Sequence, residues 1–177
     1  MTNRKIQLDP VHQALETLPY GLYIIGSRGA DNINGMMADW VMQVSFNPRL
    51  VAVSLENNST TLRNLRQTGF FTINVLSAGD KALAARFCQP RDASKVVGRS
   101  DAHSAKVYDK LADVAYQPGE LSNCPILDAA LAFLELEVRE LVEVGDHTLA
   151  VGRVLDGAVL REGEPLTQRI LGWQYAG

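Results

Sequence analysis

The residues Asn57-Asn58-Ser59-Thr60-Thr61 are all short and polar, and they stand directly before apolar positions at Leu62 and Leu65 that have helical spacing. Hydroxyls, an amide and the unsatisfied N–H groups of a helix N-terminus are what a phosphate group needs, and the helix dipole favours its charge. The same residue types are the preferred caps of any helix, so a plain capped helix, the commoner use of such residues, stays open. A second candidate is His147, in the turn Gly145-Asp146-His147. An imidazole there could donate to a substrate or shuttle a proton near neutral pH, or be an ordinary turn residue. His12 is expected as a surface residue and His103 has no visible partner, and the three histidines do not form a metal-ligand spacing such as H-E-x-x-H, so no metal site is expected. No nucleophile triad or carboxylate dyad stands out either.

The segment Met36-Met37-Ala38-Asp39-Trp40-Val41 is mostly apolar, with a small residue in its middle. It could wall one side of a planar ring such as a flavin, with backbone N–H and C=O groups at the ring's polar edge. Core packing uses the same residues more often. Gln43 lies within an apolar strand pattern and reads as a buried amide that needs partners.

These residues must be held by elements that the pattern foretells. The spacing predicts a short helix over 11–18 and a hairpin whose arms are 21–27 and the residues from Ile33 onward. Phe46-Asn47-Pro48 interrupts the apolar material, and 50–55 returns as a near-continuous buried strand. A helix over 62–67 then ends at Gly69, followed by a strand over 70–76 and a helix over 80–87. From Cys88 to Cys124 periodicity is lost and Pro, Gly and Ser accumulate, which predicts a long irregular excursion of the kind that serves as a lid or a partner contact. The clearest β pattern is the alternation over 134–138, resumed at 142–144 after a bulge at Arg139-Glu140, with 148–155 returning as its partner.

The chain of 177 residues suits one domain, 1–177. A net charge of -3 gives no reason to expect nucleic acid or a membrane surface, so small dissolved partners are expected. The opening MTNRKIQLDP has no secretory apolar core and no run approaches a bilayer span, which predicts a cytoplasmic protein. Cys88 and Cys124 are far apart and are expected as two buried thiols rather than as a disulfide or zinc pair. Strands at short turn spacing, with helices placed between them, predict a mainly β protein with helices (α+β), built as a barrel with helical decoration. Neither G-x-G-x-x-G after a strand nor G-x-x-x-x-G-K-[ST] occurs, so any nucleotide must be held by other means.

Tyr20-Gly21-Leu22-Tyr23-Ile24-Ile25, then Asn34 to Trp40, then Gln43-Val44-Ser45-Phe46-Asn47-Pro48 follow one another in an order that resembles the flavin reductase-like family of FMN-binding split β-barrels. Ser59-Thr60-Thr61 and the run from Gly69 to Leu76 resemble the family's T-x-x-x-I and G-x-F-x-V-N-x-L. Leu83 to Phe87, Cys124-Pro125-Ile126-Leu127 and Gly145 to Leu149 complete the series. Around Trp40 and Gln43 the chain looks most like flavoredoxin and the flavin reductase modules of rubredoxin- and flavodiiron-linked proteins, here as a stand-alone module without a rubredoxin C-x-x-C.

The resemblance implies an NAD(P)H:flavin oxidoreductase that passes hydride from NADH or NADPH to bound FMN and electrons onward. Its alternative is a flavoredoxin-like FMN electron carrier reduced by a redox protein partner. By the same resemblance Met36, Met37, Ala38, Asp39, Trp40 and Val41 would run along the isoalloxazine. Gln43, Ser54 and Leu55 would lie by its pyrimidine edge or ribityl chain, and Asn58, Ser59, Thr60 and Thr61 would hold the phosphate. Arg86 or Phe87 would close the far side, and His147 would face the stacking nicotinamide. A homodimer with the flavin near its interface is implied. The family's commoner S-W or S-F dipeptide is Asp39-Trp40 here, which places a carboxylate where it would disfavour an anionic reduced flavin.

Overall fold

A computed structural model of the chain describes residues 9–88 and 109–172. His103 and most of the expected irregular excursion lie outside the described residues. Seven strands form one antiparallel sheet: β1 (Tyr23–Arg28), β2 (Ile33–Ala38), β3 (Val41–Phe46), β4 (Arg49–Glu56), β5 (Phe70–Val75), β8 (Ala132–Val144) and β9 (His147–Val159). Their spatial order is β2-β1-β5-β8-β9-β4-β3, and β6 (Tyr116–Pro118) pairs with β7 (Pro125–Leu127) as a separate small hairpin.

The sheet wraps around its own apolar face. Ile25, Ala38, Val51, Val53, Leu55, Phe71, Ile73, Leu136 and Ala150 form one buried cluster drawn from β1, β2, β4, β5, β8 and β9, with Val41 of β3 packed against it. The edge strands β2 and β3 are not hydrogen-bonded to each other, so the barrel is split along that seam. This is the split β-barrel with helices that the sequence led us to expect.

Helix α2 (Thr60–Thr68) packs on this barrel cluster through Leu62 and Leu65, both buried. Each buried leucine contributes roughly 1.5–3 kcal/mol by removal from water. Ser59 is the N-cap, its Oγ accepting from the Leu62 N–H at 3.1 Å, and Gly69 ends the helix in the left-handed region at φ 75°. Two buried amide contacts fix the helix against the first hairpin: Asn34 Nδ2 donates to Thr61 Oγ1 at 3.1 Å, and Asn64 Nδ2 to Ser27 Oγ at 3.1 Å.

Helix α3 (Lys81–Phe87) covers the other face of the first hairpin. There Ile24, Leu76, Ala84, Phe87, Leu127 and Leu166 form a second buried cluster. Gly35 is needed for this packing, because a Cβ on it would lie 2.3 Å from the Phe87 ring. The short helix α4 (Gln168–Leu171) follows, and a bridge from Gly21 to Thr167 ties its start to the entry of β1.

Three expectations need correction. The first helix, α1 (Pro10–Leu15), stops short of 18 and buries no residue; Val11, Leu15 and Leu18 are exposed, so its apolar spacing serves no core in this chain. Strand β8 runs from Ala132 to Val144 as one strand, with the expected bulge present as the register shift between Val138 and Glu140, and β9 reaches Val159; the β8–β9 ladder continues past the alternating stretch, where Leu141 still packs against the barrel cluster. Cys124 is buried, but Cys88, the last residue before an undescribed stretch, is exposed.

Candidate functional site

The β2–β3 link, the start of α2 and the β8–β9 turn meet at one end of the barrel. Strand register brings them together: His147 at the start of β9 lies opposite Glu56 at the end of β4, and the Ser54 N–H donates to the Trp40 carbonyl at 3.0 Å. Asn57, in the β4–α2 turn, laces the two loops. Its N–H donates to the Asp146 carbonyl at 3.0 Å, its Nδ2 to the Gly145 carbonyl at 3.2 Å, and its Oδ1 accepts from Thr148 Oγ1 at 2.7 Å.

Trp40 and His147 are the rings of this site, their centroids 5.1 Å apart and their planes tilted by 45°. The His147 side chain is mostly covered, and its Nδ1 lies 2.7 Å from Asp146 Oδ1. The hydrogen bond and charge of His147 hold the exposed Asp146 carboxyl below its ordinary range. With Nδ1 bound to a carboxylate, Nε2 is the nitrogen left for a ligand.

Asp39 stands next to Trp40, half-buried. Burial pushes its carboxyl up, while the backbone N–H groups of Asp39 and Trp40 and the charge of His147 pull it down. Gln168 Nε2 donates to Asp39 Oδ2 at 3.0 Å, a contact between residues 129 positions apart. Nothing in the sequence pointed to Gln168, since long-range backbone ties, the Gly21–Thr167 bridge, Leu22 N–H to the Leu166 carbonyl and Gln168 N–H to the Tyr20 carbonyl, bring α4 here.

The donor cluster sits as expected at the mouth of α2. Thr60 is partly exposed and Asn58 is exposed, while Ser59 is buried with its Oγ accepting from the Leu62 N–H. The first turn of α2 contains no acidic residue, so no carboxylate of its own neutralises the positive end of the helix. This donor set fits a phosphate monoester such as that of FMN.

Other expected residues serve the fold. Leu55 and Thr61 are fully buried, Leu55 in the barrel cluster and the Thr61 hydroxyl accepting from Asn34, so both serve the packing of α2 and β4 rather than an exposed surface. Met36 packs against the barrel cluster and Met37 against the second one, with the Met37 sulfur 3.7 Å from Cys88 Sγ; alternation along β2 sends the two methionines to opposite faces. Ala38 is buried in the barrel, and Val41 packs beside it.

Gln43 departs from its expected place. It is exposed rather than buried, its Nε2 donating to the Ser45 carbonyl at 3.2 Å. It lines a cavity of about 500 Å³ with Val51, Ile73, Leu134 and Val154, and it pairs with Val51, on the strand face opposite to that of Ser54. Phe87 also departs, because its ring is buried against Gly35. The Arg86 guanidinium is occupied by the carbonyls of Lys110 (2.8 Å) and Ala112, which anchors the segment entering β6. Among the described residues no group of three or more His, Cys, Asp or Glu side chains could hold a metal ion.

Comparison with known proteins gives one consistent picture. The family described as flavin reductase like domain matches residues 15–169. The high molecular weight rubredoxin of Moorella thermoacetica is 34% identical over 155 residues, covering 88% of this chain and 62% of that protein. The flavin reductase (NADH) of Kitasatospora aureofaciens is 30% identical over 142 residues, covering 79% of this chain and 66% of that one. The chain thus spans a little under two thirds of the length of these two relatives. Among solved structures, an NADH:FAD oxidoreductase of Streptomyces globisporus in complex with NAD and FAD fragments has a TM-score of 0.75 at 25% identity, covering 90% of each chain.

Proposed function

This chain belongs to the flavin reductase-like family, and on that premise we propose that it is an NAD(P)H-dependent flavin oxidoreductase with FMN as its flavin. The observation that carries this reading is the convergence of a donor-rich, carboxylate-free helix start with the Trp40–His147 ring pair at one barrel end. A relative in the family is named flavin reductase (NADH), and a structural neighbour was solved with NAD and FAD fragments.

Bound FMN would supply the hydride-accepting chemistry. Thr60, Ser59, Asn58 and the first N–H groups of α2 would hold the phosphate, and the partly exposed Ser54 would lie between there and Trp40, with Leu55 and Thr61 buried beneath. Ala38, Asp39 and Trp40 border the ring, with Met36, Met37 and Val41 supporting that border from within. His147 orients the nicotinamide through Nε2, its Nδ1 fixed by Asp146. Positioning of two planar reactants is the main contribution asked of the protein, and no side chain need act as a nucleophile.

The relatedness to a high molecular weight rubredoxin favours a second reading, an FMN electron carrier reduced by a redox protein. Homodimer formation accords with the exposed apolar side chains Met42, Val44 and Phe46 on edge strand β3 and Val142 and Val144 at the end of β8. A reducing cytoplasmic setting accords with two free cysteines. No described helix is long and apolar enough to cross a membrane.

The test is anaerobic addition of NADH, and separately NADPH, to protein supplied with FMN. Loss of the flavin's visible absorbance supports the reductase. Bleaching with a reduced protein donor alone supports the carrier, and failure to retain or reduce FMN removes both.

A further inference from the structure

Asp39 is the one carboxylate of the β2–β3 link, and its side chain is held in place from a distant part of the chain. Gln168 Nε2 donates to Asp39 Oδ2 at 3.0 Å, the backbone of the link donates to the same carboxyl, and the charge of His147, whose ring lies 5.1 Å from that of Trp40, acts on it. An amide donor on Oδ2 needs an acceptor oxygen, which is strongest on the ionised carboxylate, and the two backbone N–H groups and the charge of His147 favour that form against the burial that opposes it. The Cys88 residue is exposed, but its thiol lies close enough to neighbouring atoms to lose part of its hydration, which pushes it up to about 11, so it stays neutral and adds no charge of its own.

Oxidised isoalloxazine is neutral, whereas the two-electron-reduced ring carries a negative charge on its pyrimidine portion near neutral pH. A carboxylate fixed at the border of the ring therefore distinguishes the two. It leaves the oxidised ring almost unaffected and repels the reduced one, and in a partly buried setting that repulsion is only weakly screened. A freely rotating carboxylate would swing toward water and lose the effect, which gives the Gln168 contact its purpose.

We propose that Gln168 is a positioning residue that fixes the Asp39 carboxylate beside the ring site, and that this fixed charge makes the protein hold oxidised flavin in preference to reduced flavin. The inference rests on the flavin reading above and deepens it by assigning to Asp39 and Gln168 of this chain the discrimination between the two redox states of the ring.

The experiment is a pair of anaerobic titrations, one with oxidised FMN and one with FMN reduced by dithionite, on wild-type protein, Asp39→Asn, Gln168→Leu and the double variant. Wild type is expected to bind oxidised FMN more tightly than reduced FMN. Asp39→Asn shifts the ratio of the two dissociation constants about tenfold toward reduced FMN, the size of a single screened charge–charge repulsion at close range. Gln168→Leu shifts the ratio in the same direction with oxidised binding unchanged, which a merely structural role would not do, and the double variant adds nothing to Asp39→Asn. An unchanged ratio in Asp39→Asn overturns the proposal, and Asp39→Ser reads the same ratio where the Asn variant fails to fold. A ratio moved by Asp39→Asn but not by Gln168→Leu overturns the role of Gln168. Wild-type protein that binds neither form overturns the flavin reading itself, a result distinguishable from the others.

Discussion

The indole of Trp40 and the imidazole of His147 face one another at 5.1 Å and 45°, one from the β2–β3 link and the other from the first position of β9. The pair is not a sequence neighbour in any sense. It arises because β4 pairs with both β3 and β9, which carries Glu56 to His147 and Ser54 to Trp40. Replacing His147 with Ala is expected to lower NADH-dependent turnover about tenfold, the worth of one positioning interaction of ~1.4 kcal/mol, while FMN stays bound. Asp146→Ala should produce a smaller loss in the same direction, since it frees the imidazole without removing it. Steady-state kinetics with FMN and NADH, beside an FMN titration of each variant, check both; wild-type turnover in His147→Ala would return it to a turn residue.

At the mouth of α2 the two hydroxyls are separable. Ser59 Oγ already caps the helix by accepting from the Leu62 N–H, whereas Thr60 is the first helical residue and stands partly exposed. Thr60→Ala is therefore expected to weaken FMN binding by roughly 1.5–3 kcal/mol, a hydrogen bond to a charged group, with the melting temperature unchanged. Ser59→Ala should lower both, because loss of an N-cap costs about 1 kcal/mol of stability. FMN titration and thermal melting of the two variants decide it, and unaltered FMN affinity in both would move the phosphate elsewhere.

Much of this was legible in sequence for identifiable reasons. Leu62 and Leu65 spaced on one helix face, Ser59 before them and Gly69 after them gave α2 its place, since caps and apolar spacing are local properties. The bulge after Val138 was visible as a break in alternation. Gln43 looks buried in sequence because it stands between apolar neighbours, yet β3 is an edge strand along the open seam of the barrel, and only the sheet order reveals that. Arg86 and Phe87 followed the family order correctly but are taken up by the carbonyls of Lys110 and Ala112 and by the space above Gly35. Gln168 had no sequence signal, because a hydrogen bond across 129 positions depends on the closed fold.

Asp39 also makes a prediction about stability and pH. Its carboxyl is raised above the ordinary value of 3.8, mainly by burial. A carboxyl with a raised folded-state pKa favours folding while neutral. That contribution is fully present below the unfolded value and is lost as pH rises through the folded one, so the ionised group weighs against the fold at neutral pH. Asn at this position keeps an oxygen for the Gln168 amide and carries no charge. Asp39→Asn is thus expected to melt above wild type at neutral pH, with the difference narrowing as pH falls into the carboxylate range. Thermal melts of ligand-free protein across that range measure it, and a gap that widens toward acid would contradict the assignment of burial as the cause.

Gly26 tests the fold that positions the site. It lies in β1 between β2 and β5, opposite Gly35 and Thr72, and an added Cβ would fall 2.2 Å from Thr72 Oγ1 and 2.5 Å from the carbonyl oxygen of Pro125. The threonine hydroxyl donates to that same carbonyl at 2.7 Å, Asn74 Nδ2 donates to it at 3.2 Å, and the Leu127 N–H donates to Asn74 Oδ1 at 2.8 Å. A methyl group at Gly26 therefore meets backbone on one side and a buried hydrogen-bonded hydroxyl on the other, and neither can give way without opening the contact between β7 and the barrel. Gly26→Ala is expected to lose about 1–3 kcal/mol from overpacking, and more where the Thr72 and Asn74 bonds to Pro125 are broken as well. Gly69→Ala, at a helix end with open space around it but a φ of 75°, should cost about 1 kcal/mol from backbone strain alone. Urea unfolding of the two variants checks the contrast: equal losses would mean that the approach of β7 to β1 is looser than these distances state.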